Sequence, residues 1–535
     1  YRPSRGRSAC PREQRCCYCS IPAGAHCRQP LLIFACIPDA VNIATDLTAR
    51  HGNIHLSKFY VTTPIYYVND VPHIGHAYTT IAADILARYH RQRGDDVFFL
   101  TGTDEHGNPA AQAAARRGLS PQQHVDEMVV KFKALAEQVN ATNDFFIRTT
   151  DSEHCAKVQA FIQNLYEQGD IYRKSYRGLY CSSCEAFYAE KDLVAGKCPD
   201  HGTEPQMVEE ENYFFRLSRY RERILDHLER HPDFIMPESR FNEARSFITR
   251  GLEDISISRA SLQWGVPIPW DESQVVYVWV DALLNYITAL QYAREEDLLE
   301  RFWPVDYHLM GKDILKFHAV IWPAMLFAAG MELPRHLFIH GYLLMGGEKM
   351  SKTRGNVLDP FQVMDKYGVD PFRFYCFREV IFGQDGVVSL EGFENRYNSE
   401  LANDLGNLLS RTLAMIHKYR GGVLPDPPPD SGGELSAAAT VLAEQLAASM
   451  SRVDLSGSLE LIWRFVRSLN KYVEDMAPWK LAKDQERSLD LDAALYNLAE
   501  GLRLCAIFLH PYMPDTTLEM LRQLGITPGS SELQL

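Results

Sequence analysis

Phe59-Tyr60-Val61-Thr62-Thr63-Pro64-Ile65-Tyr66-Tyr67-Val68-Asn69-Asp70-Val71-Pro72-His73-Ile74-Gly75-His76 is the stretch on which the reading of the fold turns. Phe59 to Thr63 reads as a short buried strand, and Pro64 and Pro72 mark a turn. Ala77 to Arg93 then reads as a helix, with Ile81, Ile85 and Tyr89 on one face and Gly94 as its stop. His73, Gly75 and His76 therefore belong to a strand–loop–helix connection, the building unit of a doubly wound α/β sheet. Gly75 leaves room for a ligand close to the backbone, and the helix N-terminus adds positive potential. Two surface histidines beside a helix cap would read the same way in isolation.

A second stretch, Lys349-Met350-Ser351-Lys352-Thr353, stands far downstream. Leu337 to His340 reads as another buried strand, and Gly341 to Glu348 as a glycine-punctuated loop leading into Lys349. A solvated basic loop explains the charges but not the flanking strand or the glycines. On two strand ends of one sheet, the pair has the parts needed to adenylate a carboxylate with ATP. Attack of a carboxylate on the α-phosphorus builds negative charge on phosphate oxygens and releases pyrophosphate. Imidazole N–H groups at a helix start and lysine ammoniums on a glycine-rich loop stabilise that charge where it develops.

With 535 residues, the chain is expected to hold several domains. No apolar run approaches membrane-spanning length, so no membrane partner is expected and a cytoplasmic location is. The net charge of −14 argues against nonspecific coating of nucleic acid but leaves room for a local basic groove. Six of the twelve cysteines (Cys10, Cys16, Cys17, Cys19, Cys27 and Cys36) lie in an arginine-rich, proline-punctuated opening. Targeting leaders share that composition, but residues 1–55 are expected to be a disordered or non-native extension.

Cys181-Ser-Ser-Cys184 and Cys198-Pro-Asp-His201 supply two ligand pairs, each with the two-residue spacer that lets both side chains grip one ion. Structural zinc is the favoured reading. A disulfide or a redox Cys-x-x-C remains open, although neither uses His201. Four protein ligands leave no position for a reacting water, so such a metal holds a fold.

Between the two motifs, Val275 to Val280 reads as an apolar strand running into Trp279-Val280-Asp281-Ala282-Leu283-Leu284-Asn285-Tyr286. Gly311-Lys312-Asp313-Ile314 precedes Phe317, His318 and Trp322. Core packing is the usual role of such aromatics, but these stand beside strand-to-helix junctions, where doubly wound sheets bind ligands. Asp104 closes another strand, Val97 to Thr101, where a carboxylate suits a ligand ammonium or a helix cap.

With these residues in place, the chain resembles the methionyl-tRNA synthetases, a family of class I aminoacyl-tRNA synthetases. The likeness runs from about Lys58 to near the C-terminus. The two motifs carry the class, and residues 277–282, 311–314, Phe317, His318 and Trp322 point to methionine. A single knuckle ending in His201 is similar to a bacterial subtype with one zinc. The resemblance implies a Rossmann-like doubly wound parallel sheet with a zinc-containing insertion, followed by an all-α anticodon-binding bundle.

It also implies site roles. His73 and His76 stabilise the ATP phosphates in the transition state, and Lys349 and Lys352 hold the pyrophosphate end, with Lys352 the direct ATP contact. Gly75, Gly311 and Asp313 join the ATP site. Asp104 binds the methionine ammonium, and Ile65, Tyr67, Trp279, Ala282, Leu283, Tyr286, Phe317, His318 and Trp322 shape the thioether pocket. Cys181, Cys184, Cys198 and His201 hold one structural Zn2+, and Mg2+ travels with ATP. Thr353 replaces the usual serine of the second motif and keeps its hydroxyl.

From Asn398 the sequence turns helical. Asn403, Asn407 and Arg411 are spaced four apart and so share a face; the row suits base edges, or a plain solvated surface. The proline-rich stretch from Gly421 to Gly433 reads as a loop, and Trp479 offers an aromatic plane. The resemblance makes Asn403, Asn407, Arg411 and Trp479 readers of the anticodon. The expected organisation is a catalytic domain in two halves, 56–172 and 276–345, around a zinc-bearing insertion, 173–275. A stem-contact region with the lysine motif, 346–395, and the anticodon bundle, 396–535, complete it. The expected activity is attachment of L-methionine to initiator and elongator methionine tRNAs through methionyl-adenylate, by a monomer. The rivals are a cysteinyl, leucyl or valyl synthetase, or a catalytically silent tRNA-binding paralogue.

Overall fold

The computed structural model describes residues 57–535 except 182–185, 189, 191–192, 200–201, 346–347, 350–359, 428–432, 528 and 530–532. The expectations for residues 1–55, Cys184, His201 and Lys352 lie outside the described residues, and for Lys349 only the backbone lies within them.

Six parallel strands form the central sheet: β1 (Lys58–Tyr67), β2 (Asp96–Asp104), β3 (Phe145–Arg148), β4 (Ile235–Met236), β5 (Tyr307–Gly311) and β6 (His336–His340). Their order is β3-β2-β1-β5-β6-β4, so the chain reverses its direction of travel across the sheet between β1 and β5. Apolar side chains alternate between the two faces, as strand geometry requires. Phe59, Val61, Val97, Phe99, Leu309 and Phe338 enter one core, and Tyr60, Phe98, Leu100, Met310, Leu337 and Ile339 the other.

β1 runs further than the sequence suggests, through Pro64 to Tyr67. Its register against β2 shifts between Thr62 and Ile65, and its pairing with β5 ends at Thr62↔His308. Proline has no N–H to give a ladder, so it is tolerated where the ladder is interrupted. Beyond that point β1 stays with β2 as far as Tyr67↔Asp104 while its pairing with β5 has ended, at the topological switch where doubly wound sheets bind ligands in a crevice. Helix α1 (Ile74–Gln92) follows β1, starting three residues before the expected Ala77 because His73 caps it.

Two expected elements differ. The apolar run Val275–Val280 is divided between a strand, Asp271–Val276, and helix α2 (Val278–Tyr292), with Tyr277 as the turn. α2 is buried on nearly every side, so its sequence lacks the amphipathic period that separates helix from strand. The segment after β6 is a hairpin rather than a loop: β7 (Leu343–Met345) pairs antiparallel with β8 (Glu348–Lys349) and parallel with Gly386–Val387.

The insertion is built on two long antiparallel strands, Ile171–Cys181 and Gln206–Phe215. Beyond the hairpin come α3 (Val369–Glu379), a π-helical stretch Tyr397–Gly406, α4 (Asn407–Arg420), α5 (Leu455–Met476) and α6 (Ser488–Leu509). Helix therefore precedes the expected Asn398, since Leu390–Arg396 already forms a turn capped by Ser389. One apolar core runs from the α1 face of the sheet through α3 into α5 and α6.

Candidate active site

The C-terminal ends of β1, β2, β5 and β6 carry the site. At β1, His73 takes an extended backbone and caps α1: its Nδ1 accepts from the Gly75 N–H at 3.1 Å. His76 Nδ1 accepts in return from the His73 N–H, also at 3.1 Å, which completes a capping box made of two imidazoles. A ring whose Nδ1 accepts carries its proton on Nε2, so both histidines present Nε2–H donors at a helix N-terminus. The rings stack with centroids 3.8 Å apart. Tyr66 and Phe132 flank His76, at 4.7 and 5.3 Å between ring centres. A Cβ at Gly75 would lie 3.0 Å from His73 Cε1, so the room this glycine leaves is taken by the capping ring.

Asp104 closes β2, buried, directly beside Tyr67 in the strand register. It ends a strand and caps no helix; Gly107 occupies the cap of the helix that follows. Tyr67 meets Trp279 edge-on at 5.9 Å, and Trp279 stacks on Phe317 at 3.7 Å. One turn along α2 from Ala282 and Leu283, the Tyr286 hydroxyl donates to His318 Nε2 at 2.8 Å. His318 in turn donates from Nδ1 to the Ile314 carbonyl at 3.1 Å. Trp322 donates to His308 Nε2 at 3.3 Å, and His308 Nδ1 lies 2.7 Å from the Thr62 hydroxyl. Burial drives His318 down to about 4, so the ring is neutral and Nε2 keeps its lone pair for Tyr286. Burial raises Tyr286 well above the usual phenol, and the nearby Asp104 charge adds to that shift.

Sequence reasoning did not single out His308, nor the cluster that anchors α2. Asp281 accepts from His106 Nδ1 at 2.7 Å and from His154 Nε2 at 2.9 Å. Burial pushes the Asp281 carboxyl up, but the two histidines outweigh it and hold the group at about 2. The cluster ties α2 to the segment after β2, so Trp279 and Asp104 share one rigid support. His106 stands two residues past Asp104 in the sequence, but its partner is 175 positions away and only the fold pairs them.

Asp313 Oδ1 folds back so closely that a Cβ at Gly311 would lie 2.6 Å from it. Across the β5–β6 edge, His340 Nε2 lies 2.7 Å from the Thr79 hydroxyl of α1, which links the helix of the first motif to the strand feeding the second. Lys349 pairs through its backbone with Leu344.

The insertion brings Cys181 and Cys198 to one residue. Cys181 Sγ lies 3.2 Å from the Thr203 hydroxyl, and the Cys198 N–H donates to the Thr203 carbonyl at 2.8 Å. The Gly202 N–H returns to the Cys198 carbonyl at 2.8 Å, with Gly202 at φ +64 as the knuckle turn requires. Both cysteines are buried and neither forms a disulfide. Two buried thiols on a tight knuckle suit a soft, borderline cation such as zinc.

In the helical region Asn403, Asn407 and Arg411 are exposed along one side. Asn407 donates to Asn403 at 3.3 Å, and Arg411 donates to Asn470 of α5 at 2.8 Å. Trp479, 42 % exposed, follows the left-handed cap Ala477 that ends α5.

Residues 59–209 and 201–413 match the family model described as tRNA synthetases class I (M). The chain is 51% identical over 472 residues to the methionine–tRNA ligase of Caldanaerobacter subterraneus subsp. tengcongensis, covering 88% of this chain and 74% of that one. Against the methionine–tRNA ligase of Streptomyces coelicolor the identity is 46% over 489 residues, covering 89% and 91%. Among solved structures, Mycobacterium tuberculosis methionyl-tRNA synthetase in complex with methionyl-adenylate superposes with a TM-score of 0.84 at 42% identity, covering 87% of this chain and 93% of that one. The free-state structure of that enzyme gives 0.77 at 40% identity, covering 88% and 92%. Fold, crevice and these likenesses agree, and the chain belongs to the class I aminoacyl-tRNA synthetases of the methionyl family.

Proposed function

We propose that the crevice between β1 and β5 activates L-methionine with ATP and passes it to methionine tRNAs, both initiator and elongator. The observation that carries this reading is the imidazole capping box, which aims two Nε2–H donors from a helix N-terminus.

The methionine carboxylate attacks the α-phosphorus; a new P–O bond forms, the bond to the β-phosphate bridging oxygen breaks, and pyrophosphate leaves. His73 and His76 donate hydrogen bonds to phosphate oxygens as charge builds there. They need no reorientation, because their Nδ1 atoms are already committed to backbone. Lys349 and Lys352 take the departing pyrophosphate, and Gly311 and Asp313 lie against the adenosine. Magnesium bound with ATP supplies further charge neutralisation. Asp104 receives the substrate ammonium. Tyr67, Trp279 and Phe317, with Ile65, Ala282 and Leu283, enclose the thioether, while the Tyr286–His318 and Trp322–His308 bonds hold the far wall. In the second step a terminal ribose hydroxyl of the tRNA attacks the activated carbonyl and AMP leaves.

Asn403, Asn407, Arg411 and Trp479 read the anticodon in this scheme, and Cys181, Cys184, Cys198 and His201 hold one zinc. We assign 56–172 and 276–345 to the catalytic domain, 173–275 to the insertion, which returns its strand β4 to the edge of the central sheet, 346–395 to the stem-contact region and 396–535 to the anticodon bundle. No helix among the described residues is long and apolar enough to cross a membrane. We assign the enzyme to the cytoplasm and read it as a monomer.

Methionine-dependent ATP–pyrophosphate exchange tests the reading. Exchange with methionine, and none with cysteine, leucine or valine, is expected. Exchange supported by cysteine but not methionine overturns it, and absence of exchange with retained tRNA binding indicates a silent paralogue.

A further inference from the structure

Asp385 lies after α3, outside both motifs, and its carboxylate is divided between the two segments that border the nucleotide end of the crevice. Oδ2 accepts from Lys312 Nζ at 2.6 Å, and Oδ1 accepts from the Tyr342 backbone N–H at 2.8 Å. Lys312 belongs to the run that follows β5; Tyr342 enters the lysine hairpin. The same ammonium sits 4.3 Å from the centre of the Tyr342 ring.

The backbone makes the same joint. A Cβ at Gly341 would lie 2.2 Å from the Gln384 carbonyl carbon, so only glycine passes there. The Gly386 N–H donates to the Tyr342 carbonyl at 3.0 Å, and the Val388 N–H to the Leu344 carbonyl at 2.8 Å. Leu344 is the residue that pairs with Lys349. The segment around Asp385 is therefore the base on which the hairpin stands.

We propose that Asp385 is a positioning residue for adenylation: by holding Lys312 and Tyr342 on one carboxylate, it sets the lysine hairpin against the Gly311–Ile314 run. The inference rests on the function proposed above. Lys349, whose backbone closes the hairpin, must reach the pyrophosphate end of an ATP whose adenosine lies at the end of β5, and a tilt at the base grows along the hairpin. Lys312 serves this joint rather than the phosphates. The pair is partly exposed and contributes little to stability, so its consequence belongs to the chemistry.

The test is methionine-dependent ATP–pyrophosphate exchange on the full chain with Asp385→Asn, Lys312→Met and both together. Asparagine keeps an oxygen for the Tyr342 N–H and loses the charge that holds Lys312. Each single variant is expected to lower kcat/KM for ATP about tenfold, the scale of one charge-assisted hydrogen bond, with KM for methionine within about twofold. Because both remove one bond, the double variant should be no worse than the weaker single. Unchanged ATP kinetics, a methionine KM that moves as far as that of ATP, or losses that multiply each overturn the inference. Should Asp385→Asn fail to fold, Lys312→Met carries the same comparison. Absence of methionine-dependent exchange in the unmodified chain overturns the functional reading itself; exchange there with insensitive variants overturns only the part given to Asp385.

Discussion

His73 has two tasks that chemistry can separate. Its Nδ1 caps α1, which puts its proton on Nε2. Asparagine is a good N-cap but has no counterpart to Nε2–H in that position. His73→Asn is therefore expected to melt near the wild type while exchange falls by about 10²–10³-fold, the usual cost of removing one transition-state donor. Thermal melting and exchange kinetics on the same preparation check this. His318 and Asp281 contribute to the pH behaviour, beside His227, His308, His340 and His510, whose values burial also lowers. Both folded values are depressed, His318 to about 4 and Asp281 to about 2. A depressed group stabilises fully above its unfolded value and loses that contribution as pH falls through the folded one. Stability should therefore decline first between pH 6.5 and about 4 through His318, then below pH 3.8 toward about 2 through Asp281. Urea midpoints across this range should show the upper limb flatten in His318→Gln.

At the scale of elements, motif identity was legible but element type was not always. His73, Gly75 and His76 follow a strand and open a helix, as spacing indicated, because the apolar period changes there from two to 3.6. The run Val275–Val280 has no polar face to reveal its period, and burial by the surrounding protein decides that it turns at Tyr277 and becomes α2. The hairpin after β6 was read as a loop because its partner, Gly386–Val387, is some forty residues away in sequence. The end of α5 carries a prediction of its own. Trp479 stands exposed just beyond it, and Arg411 is braced by Asn470. Trp479→Ala should lower tRNA charging by about tenfold or more, the scale of one lost base–aromatic stack, and leave exchange unchanged. A matching loss of exchange would remove Trp479 from the tRNA surface. In the insertion, Cys198→Ser should abolish stoichiometric zinc measured by elemental analysis, since a buried two-thiol knuckle holds the metal only with its set complete.

Across the whole molecule, Arg373 joins parts that are remote in sequence. Fully buried on α3, it donates to Asp84 of α1 at 2.7 Å, to the Val139 carbonyl at 2.8 Å and to the Tyr512 and Pro511 carbonyls at 3.0 and 2.7 Å. Asp84 also binds Arg88 and Thr142. Burial raises the Asp84 carboxyl, but Arg373 and Arg88 reverse the shift and leave it below the usual value. One charge thus ties the catalytic sheet to the segment after α6, along the same core that runs through both. Arg373→Met leaves Asp84 buried with Arg88 as its remaining cation, and a loss of about 3–5 kcal/mol is expected from chemical denaturation.

Sequence by itself determined the reaction class expected of this protein, because catalysis demands particular residue types at short spacing, while the amino acid and the RNA partner were expected from its resemblance to the methionyl family. Imidazoles at a helix start, lysines after a strand and paired cysteines are local arrangements, written within a few residues of one another. Tertiary structure alone decided how those pieces are held: the parting of β1 from β5 at Pro64, the clasp of Asp281 by His106 and His154, and the Asp385 and Arg373 joints. Each of these pairs residues far apart in the chain. Hydrogen bonds and burial depend on distance in space, and no local pattern encodes it.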